Sequence, residues 1–188
     1  MSDDVVMRMV AGYAFVDALV ADDVDLFAMG NLKYLLELNT VVLCGTDPVR
    51  REEYARHRTM TDERFYEEQQ GGIRDVMEWY ERHATESPWK LAAGVYIRIV
   101  SKPQLFIEGN HRTGALAMSY LLIRSGEPPF VVTTETAAAY FDPPTDIRDI
   151  RKQGVTMLFR LPGLQRRLAT FLATHADRRF LMPGVNVS

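Results

Sequence analysis

Nine consecutive residues, Phe106-Ile107-Glu108-Gly109-Asn110-His111-Arg112-Thr113-Gly114, combine an acid, a tight turn and a base at a helix start. That is how a protein builds an anion site. The first turn of a helix leaves backbone N–H groups without intrahelical partners. The helix dipole adds partial positive charge there, so phosphates bind well. Gly109 lets the backbone take a positive φ and approach a ligand closely. Arg112 offers a charged fork to phosphate oxygens. Glu108 could hold a magnesium ion that bridges phosphates. The same residues also suit a plain helix cap, with Arg112 paired to Glu108.

Few other side chains compete for a chemical role. His111 is the one histidine inside the stretch, and the others are His57, His83 and His175. It could meet phosphate as a cation or act as a base; otherwise it is an exposed helix-start residue. Lys102 could serve as a base if burial lowered its pKa, and otherwise reads as a solvated loop cation. Cys44, beside Val41, Val42 and Leu43, reads as a small buried residue. One cysteine and four scattered histidines do not form a structural zinc site.

The elements that must position the stretch are helical. Apolar spacings of three and four predict a helix from Val5 to Val20. Asp22 and Asp23 offer caps for a second helix reaching about Cys44, ended by Gly45 and Asp47-Pro48. Arg50 to Gly72 is polar, and Met60, Phe65 and Tyr66 suggest a short extended segment within it. A helix follows over Ile73 to His83. Ser87-Pro88 opens the next, whose face of Trp89, Ala92, Ala93, Tyr96, Ile97 and Val100 marks it as central. Ser101 to Asn110 breaks the pattern, and a helix resumes near Arg112 and runs to Arg124. Thr134 caps a short helix through Tyr140, Thr145-Asp146 opens another, and Leu164 to Ala176 forms the last. The expected fold is all-α, one domain over residues 1–188, with room for a single β-hairpin.

Phe106, Glu108, Gly109, Asn110 and Arg112 match a known signature. It reads histidine, any residue, phenylalanine, any residue, acid, glycine, asparagine, glycine or lysine, arginine, two residues, arginine. The chain thus resembles the Fic (Fic/Doc, or Fido) family, over about a dozen residues in the motif and more loosely over Asp23 to Ala176. The flanking helices and the turn Gly126-Glu127-Pro128-Pro129 fit the same pattern. The resemblance implies a helical core and transfer of AMP from ATP to a hydroxyl of a target protein. It implies magnesium at Glu108, an anion hole from the backbone of Gly109, Asn110 and His111, and a phosphate contact from Arg112. Such proteins hold their target with a hairpin flap. Here Thr59 to Tyr66 is the candidate, with Phe65 and Tyr66 as clamp residues, unless those aromatics pack on the core.

Three positions depart from the signature. Gln104 stands where the catalytic histidine belongs, and glutamine cannot act as a base near neutral pH. Loss of a general base costs about 100- to 10,000-fold in rate. His111 stands at the glycine or lysine position and could supply the missing base. Ala115 replaces the second arginine, which holds the outermost phosphate of ATP and pairs with an inhibitory glutamate in many members. Thr59 to Glu63 has the spacing of that inhibitory motif, but Arg64 follows where it needs glycine or asparagine. A donor without a held γ-phosphate, ATP or another nucleotide or diphosphate, is therefore expected. The alternative is a catalytically inactive fold that binds a nucleotide or a protein. The remaining partners expected are an unknown target protein and either a second copy of the chain or an antitoxin-like protein.

Composition narrows the rest. The chain has 188 residues, 47% hydrophobic and 25% charged, as in a globular protein. A net charge of −3 disfavours bulk nucleic-acid binding. No run approaches the roughly 18 apolar residues that span a bilayer. Met1 to Arg8 has no basic leader before an apolar run, so the expected compartment is the cytoplasm, with export as an effector as the alternative.

Overall fold

A computed structural model describes residues 3–68, 71–131 and 155–181, the last with side chains from residue 161. These residues form eight α-helices and no strand. They are α1 (Asp3–Ala21), α2 (Leu32–Cys44), α3 (Pro48–Glu53), α4 (Ala55–Phe65), α5 (Ile73–His83), α6 (Pro88–Val100), α7 (Asn110–Arg124) and α8 (Val155–Thr174). Two of them are buried nearly all round. In α7 every residue from Thr113 to Ile123 is buried, and in α6 every residue from Leu91 to Ile97. A helix without a polar face belongs in the centre of a core.

The two central helices pack on each other along their length. A small residue permits the close approach, since a Cβ at Gly114 on α7 would lie 3.0 Å from the Tyr96 ring on α6; between α5 and α6 the approach is closer still, where a Cβ at Gly94 would lie 1.8 Å from the Trp79 ring. α1 and α2 pack together and on α7, while α5 and α8 pack on α6. One apolar cluster runs from Val16 on α1 to Leu172 on α8. Among the described residues, no helix is long and apolar enough to cross a membrane.

Three expectations need correction. The second helix does not start at Asp22–Asp23. The backbone turns there instead, with Asp23 at φ 51°, and α2 begins at Leu32 after a short 3-10 turn. Tertiary bonds override the local caps. The Tyr120 hydroxyl donates to the Val24 carbonyl at 2.5 Å and accepts from the Leu26 N–H at 3.0 Å. That anchoring buries Leu26 and Phe27, and Phe27 stacks on Tyr80.

Among the described residues, Thr59 to Tyr66 form neither the expected extended segment nor a hairpin; α4 runs through that stretch to Phe65. Asp47 caps α3 by accepting from the Val49 N–H, with Pro48 at the first helical position. α4 is rich in strong helix formers, and Thr61 and Phe65, four residues apart, share its buried face. The last helix starts at Val155, ahead of the expected Leu164, and continues through Pro162. Proline forfeits one backbone bond there, while Leu161, Leu164, Leu168 and Leu172 bury one continuous face. The helices expected after Thr134 and at Thr145-Asp146 lie outside the described residues.

Candidate functional site

Between the two central helices the chain makes a tight loop. α6 stops where Ser101 turns its hydroxyl back onto the Ile97 carbonyl at 2.6 Å. Leu105 and Phe106 then drop into the core and pin the loop from below. Asn110 closes it. Its Oδ1 accepts from the Phe106 N–H at 2.9 Å, and its Nδ2 donates to the Phe106 carbonyl at 2.8 Å. Gly109 supplies the left-handed turn, at φ 75°, that starts α7. No side chain caps the first turn of α7. The positive end of the α7 dipole therefore faces the loop.

Two other helices hold the loop from outside. Asn39, buried on α2, donates through Nδ2 to the Glu108 carbonyl at 2.9 Å and to the Thr113 hydroxyl at 3.0 Å. Gly109 is needed for that approach, since a Cβ there would lie 2.9 Å from Asn39 Nδ2. Arg64, at the end of α4, donates to the Gln104 carbonyl at 2.7 Å. Beside it Phe65 stacks on Phe106.

The Glu108 side chain is exposed while its carbonyl is anchored. Among the described residues it belongs to no cluster of three metal-ligating groups. It therefore fits magnesium only in the mode where one carboxylate and substrate phosphates share the ion. Gln104 donates to the Val100 carbonyl at 3.1 Å and accepts from Asn110 Nδ2 at 3.4 Å. His111 is half-buried, contrary to the exposed alternative, with Nδ1 2.9 Å from the hydroxyl of buried Tyr96. Phe65 has no exposed surface and belongs to the core, which corrects its reading as a clamp. Tyr66 next to it is 49% exposed. Lys102 is exposed and Cys44 is buried, as the sequence suggests.

Arg112 is not paired with Glu108. Its guanidinium donates to the Val42 carbonyl at 2.6 Å. Arg8 donates to the next carbonyl, Leu43, at 2.5 Å, and Arg51 to Gly45 at 2.9 Å. Three guanidiniums thus gather at the C-terminal end of α2, where free carbonyls and the negative dipole end favour cations. Burial, and then Arg8, push the Arg112 pKa down from its ordinary value, opposed by Glu108 and Tyr54. It starts from so high a value that Arg112 stays charged at neutral pH.

Sequence reading missed Asn39, Arg64 and Tyr96. Asn39 carried a signal: an amide on the face of α2 that otherwise holds Leu32, Leu35 and Val42 must find a buried partner. Tyr96 carried a weaker one, a hydroxyl within an apolar helix. Arg64 carried none, being one charge among many.

The chain is 30% identical over 115 residues to Protein adenylyltransferase fic-1 of Caenorhabditis elegans, covering 57% of this chain and 22% of that protein. It is 25% identical over 142 residues to Protein adenylyltransferase Fic of Drosophila melanogaster, covering 72% of this chain and 28% of the relative. Over 116 residues it is 29% identical to the Drosophila persimilis protein of the same name. The chain spans about a quarter of the length of these curated relatives. No family model matches it, and no solved structure matches it significantly. The chain is thus a distant homologue of these Fic protein adenylyltransferases.

Proposed function

We propose that this distant homologue of Fic protein adenylyltransferases is a divergent Fic-type transferase. It moves AMP, or another phosphate-linked group, from a nucleotide or pyrophosphate donor onto a protein hydroxyl. The observation that carries this reading is the loop at the start of α7. Asn110 closes it, Asn39 anchors it, and no side chain caps the helix behind it. The backbone of Gly109, Asn110 and His111 forms the anion hole, and Arg112, in the same first turn of α7, is assigned as the phosphate cation. Glu108 is the residue that would hold magnesium, which would neutralise charge on the phosphates.

In the reaction the hydroxyl oxygen attacks phosphorus, the bond to the bridging oxygen breaks, and the second phosphate or pyrophosphate leaves. The hydroxyl proton must go to a base. Gln104 cannot take it, and its amide is already tied to Val100 and Asn110. His111 is the histidine of the loop and is assigned that proton. Without a base at the usual place the reaction is slow, and it relies on electrostatic stabilisation of the leaving phosphates. Tyr66, exposed beside the loop anchor Arg64, is the flap contact that remains for the target.

The second reading is a phosphate-binding protein without transfer. It draws on Gln104 serving as a loop brace and on Arg112 donating to Val42. Incubation with α-phosphate-labelled ATP, magnesium and lysate of the native host separates the two. Label on a protein band that disappears with Glu108→Ala supports transfer. Nucleotide binding without any labelled protein supports the second reading.

A further inference from the structure

Tyr96, on α6, has no exposed surface. Burying a hydroxyl costs free energy unless it finds a partner, and phenylalanine would fill the same space without that cost. Two other tyrosines packed in or against the core, Tyr13 and Tyr120, donate to the backbone carbonyls of Phe130 and Val24 and so tie distant segments together. The Tyr96 hydroxyl instead lies 2.9 Å from Nδ1 of His111, a titratable side chain on the second residue of α7. The facing helix leaves room for this reach. Gly114, one turn along α7 from His111, has no side chain, and a Cβ there would lie 3.0 Å from Tyr96 Cδ2. The phenol ring lies against α7 at that point, tilted 55° to the imidazole with ring centroids 6.2 Å apart. Side chains on a helix lean toward its N-terminus, so from the first turn of α7 the imidazole leans toward the loop. Holding Nδ1 on the α6 side turns Nε2 away from the α6 core.

We infer that Tyr96 is a positioning residue for His111: its hydroxyl oxygen accepts from Nδ1–H, which leaves the lone pair on Nε2, the nitrogen that takes the proton of the attacking hydroxyl. The inference rests on the transfer reading above and adds the group that sets the tautomer. Which ring nitrogen carries the proton is set by the bond the other one makes. A hydroxyl has lone pairs apart from its hydrogen, so it can accept here. During transfer the target oxygen bonds to phosphorus, the bond to the bridging oxygen breaks, and the hydroxyl proton passes to Nε2. The imidazolium then donates from Nδ1 to Tyr96, and a charged donor makes that bond stronger than in the neutral ring. Tyr96 itself neither gains nor loses a proton, and Nε2 later gives its proton to water or the departing phosphate. The opposite direction, with the hydroxyl donating to Nδ1, would put the hydrogen on Nε2 and make His111 a phosphate donor rather than a base.

The long-range ¹H–¹⁵N spectrum of the labelled full chain, recorded where the imidazoles are neutral, tests this without any substrate, and His111→Gln assigns the signals. The native chain should show His111 protonated on Nδ1. Tyr96→Phe, which keeps the ring, should lose that preference while its circular dichroism stays native. In Tyr96→Phe the kcat for label transfer from α-phosphate-labelled ATP should fall about 10- to 100-fold, with ADP affinity within about twofold of native. A native His111 protonated on Nε2 overturns the inference, and that result does not depend on whether the variant folds. A folded Tyr96→Phe with tautomer or transfer rate unchanged, or with ADP affinity lost in place of rate, overturns it as well. The expected tautomer together with no labelled protein from the native chain leaves the hold on His111 in place and overturns the transfer reading.

Discussion

Gly109 and Asn39 decide whether the loop exists. Gly109 sits at φ 75°, and Asn39 Nδ2 occupies the space a side chain would take. Gly109→Ala should therefore cost about 1–3 kcal/mol, from the left-handed strain and the displaced amide together. Urea unfolding of the two proteins measures it. Asn39→Leu should cost a similar 1–3 kcal/mol, because the Glu108 carbonyl and Thr113 hydroxyl lose their donor. It should also speed amide hydrogen exchange across residues 106–110 more than within α6. At this scale the sequence was informative where types and order carry meaning. Glu108, Gly109, Asn110 and Arg112 stand out in one line of text. Asn39 is 69 residues away from Glu108, and only the fold shows which backbone it serves. The bond from Arg112 to Val42 was equally invisible, since it depends on where α2 ends.

Helices were legible in proportion to how strongly one face is apolar. α6 and α7 were plain because their residues are apolar nearly all round. α4 was hidden because Arg, Asp and Glu surround its one buried pair, Thr61 and Phe65. The start of α2 was hidden for another reason: Tyr120, far along the chain, holds Val24 and Leu26 in a turn. The helical form of α4 makes a sharp prediction. Phe65→Ala should cost about 3–5 kcal/mol, and Tyr66→Ala should change stability by less than about 0.5 kcal/mol. A hairpin with both aromatics exposed at its tip would give two small effects instead, so paired thermal or urea unfolding decides. The contact between α5 and α6 is as tight. Gly94→Ala drives a methyl into the Trp79 ring and should cost about 1–3 kcal/mol, with a change in tryptophan fluorescence.

Across the molecule, helices from both ends of the sequence converge on one loop. α1 and α2 support α7, α4 braces the loop, and α6 and α7 carry it. Ala115, buried on α7, cannot hold a third phosphate. ATP and ADP should therefore raise the melting temperature by similar amounts at equal concentration, with affinities within about tenfold of each other. A protein that grips the γ-phosphate would favour ATP by much more. The central claim is that donor phosphates sit on the loop at the start of α7. Its most direct test is the ¹H–¹⁵N spectrum of the labelled chain titrated with ADP and magnesium. Saturable shifts of the Gly109, Asn110 and His111 amide signals, much reduced in Glu108→Ala, are expected. Saturable binding that leaves those three amides unmoved, or no binding at all, would contradict it.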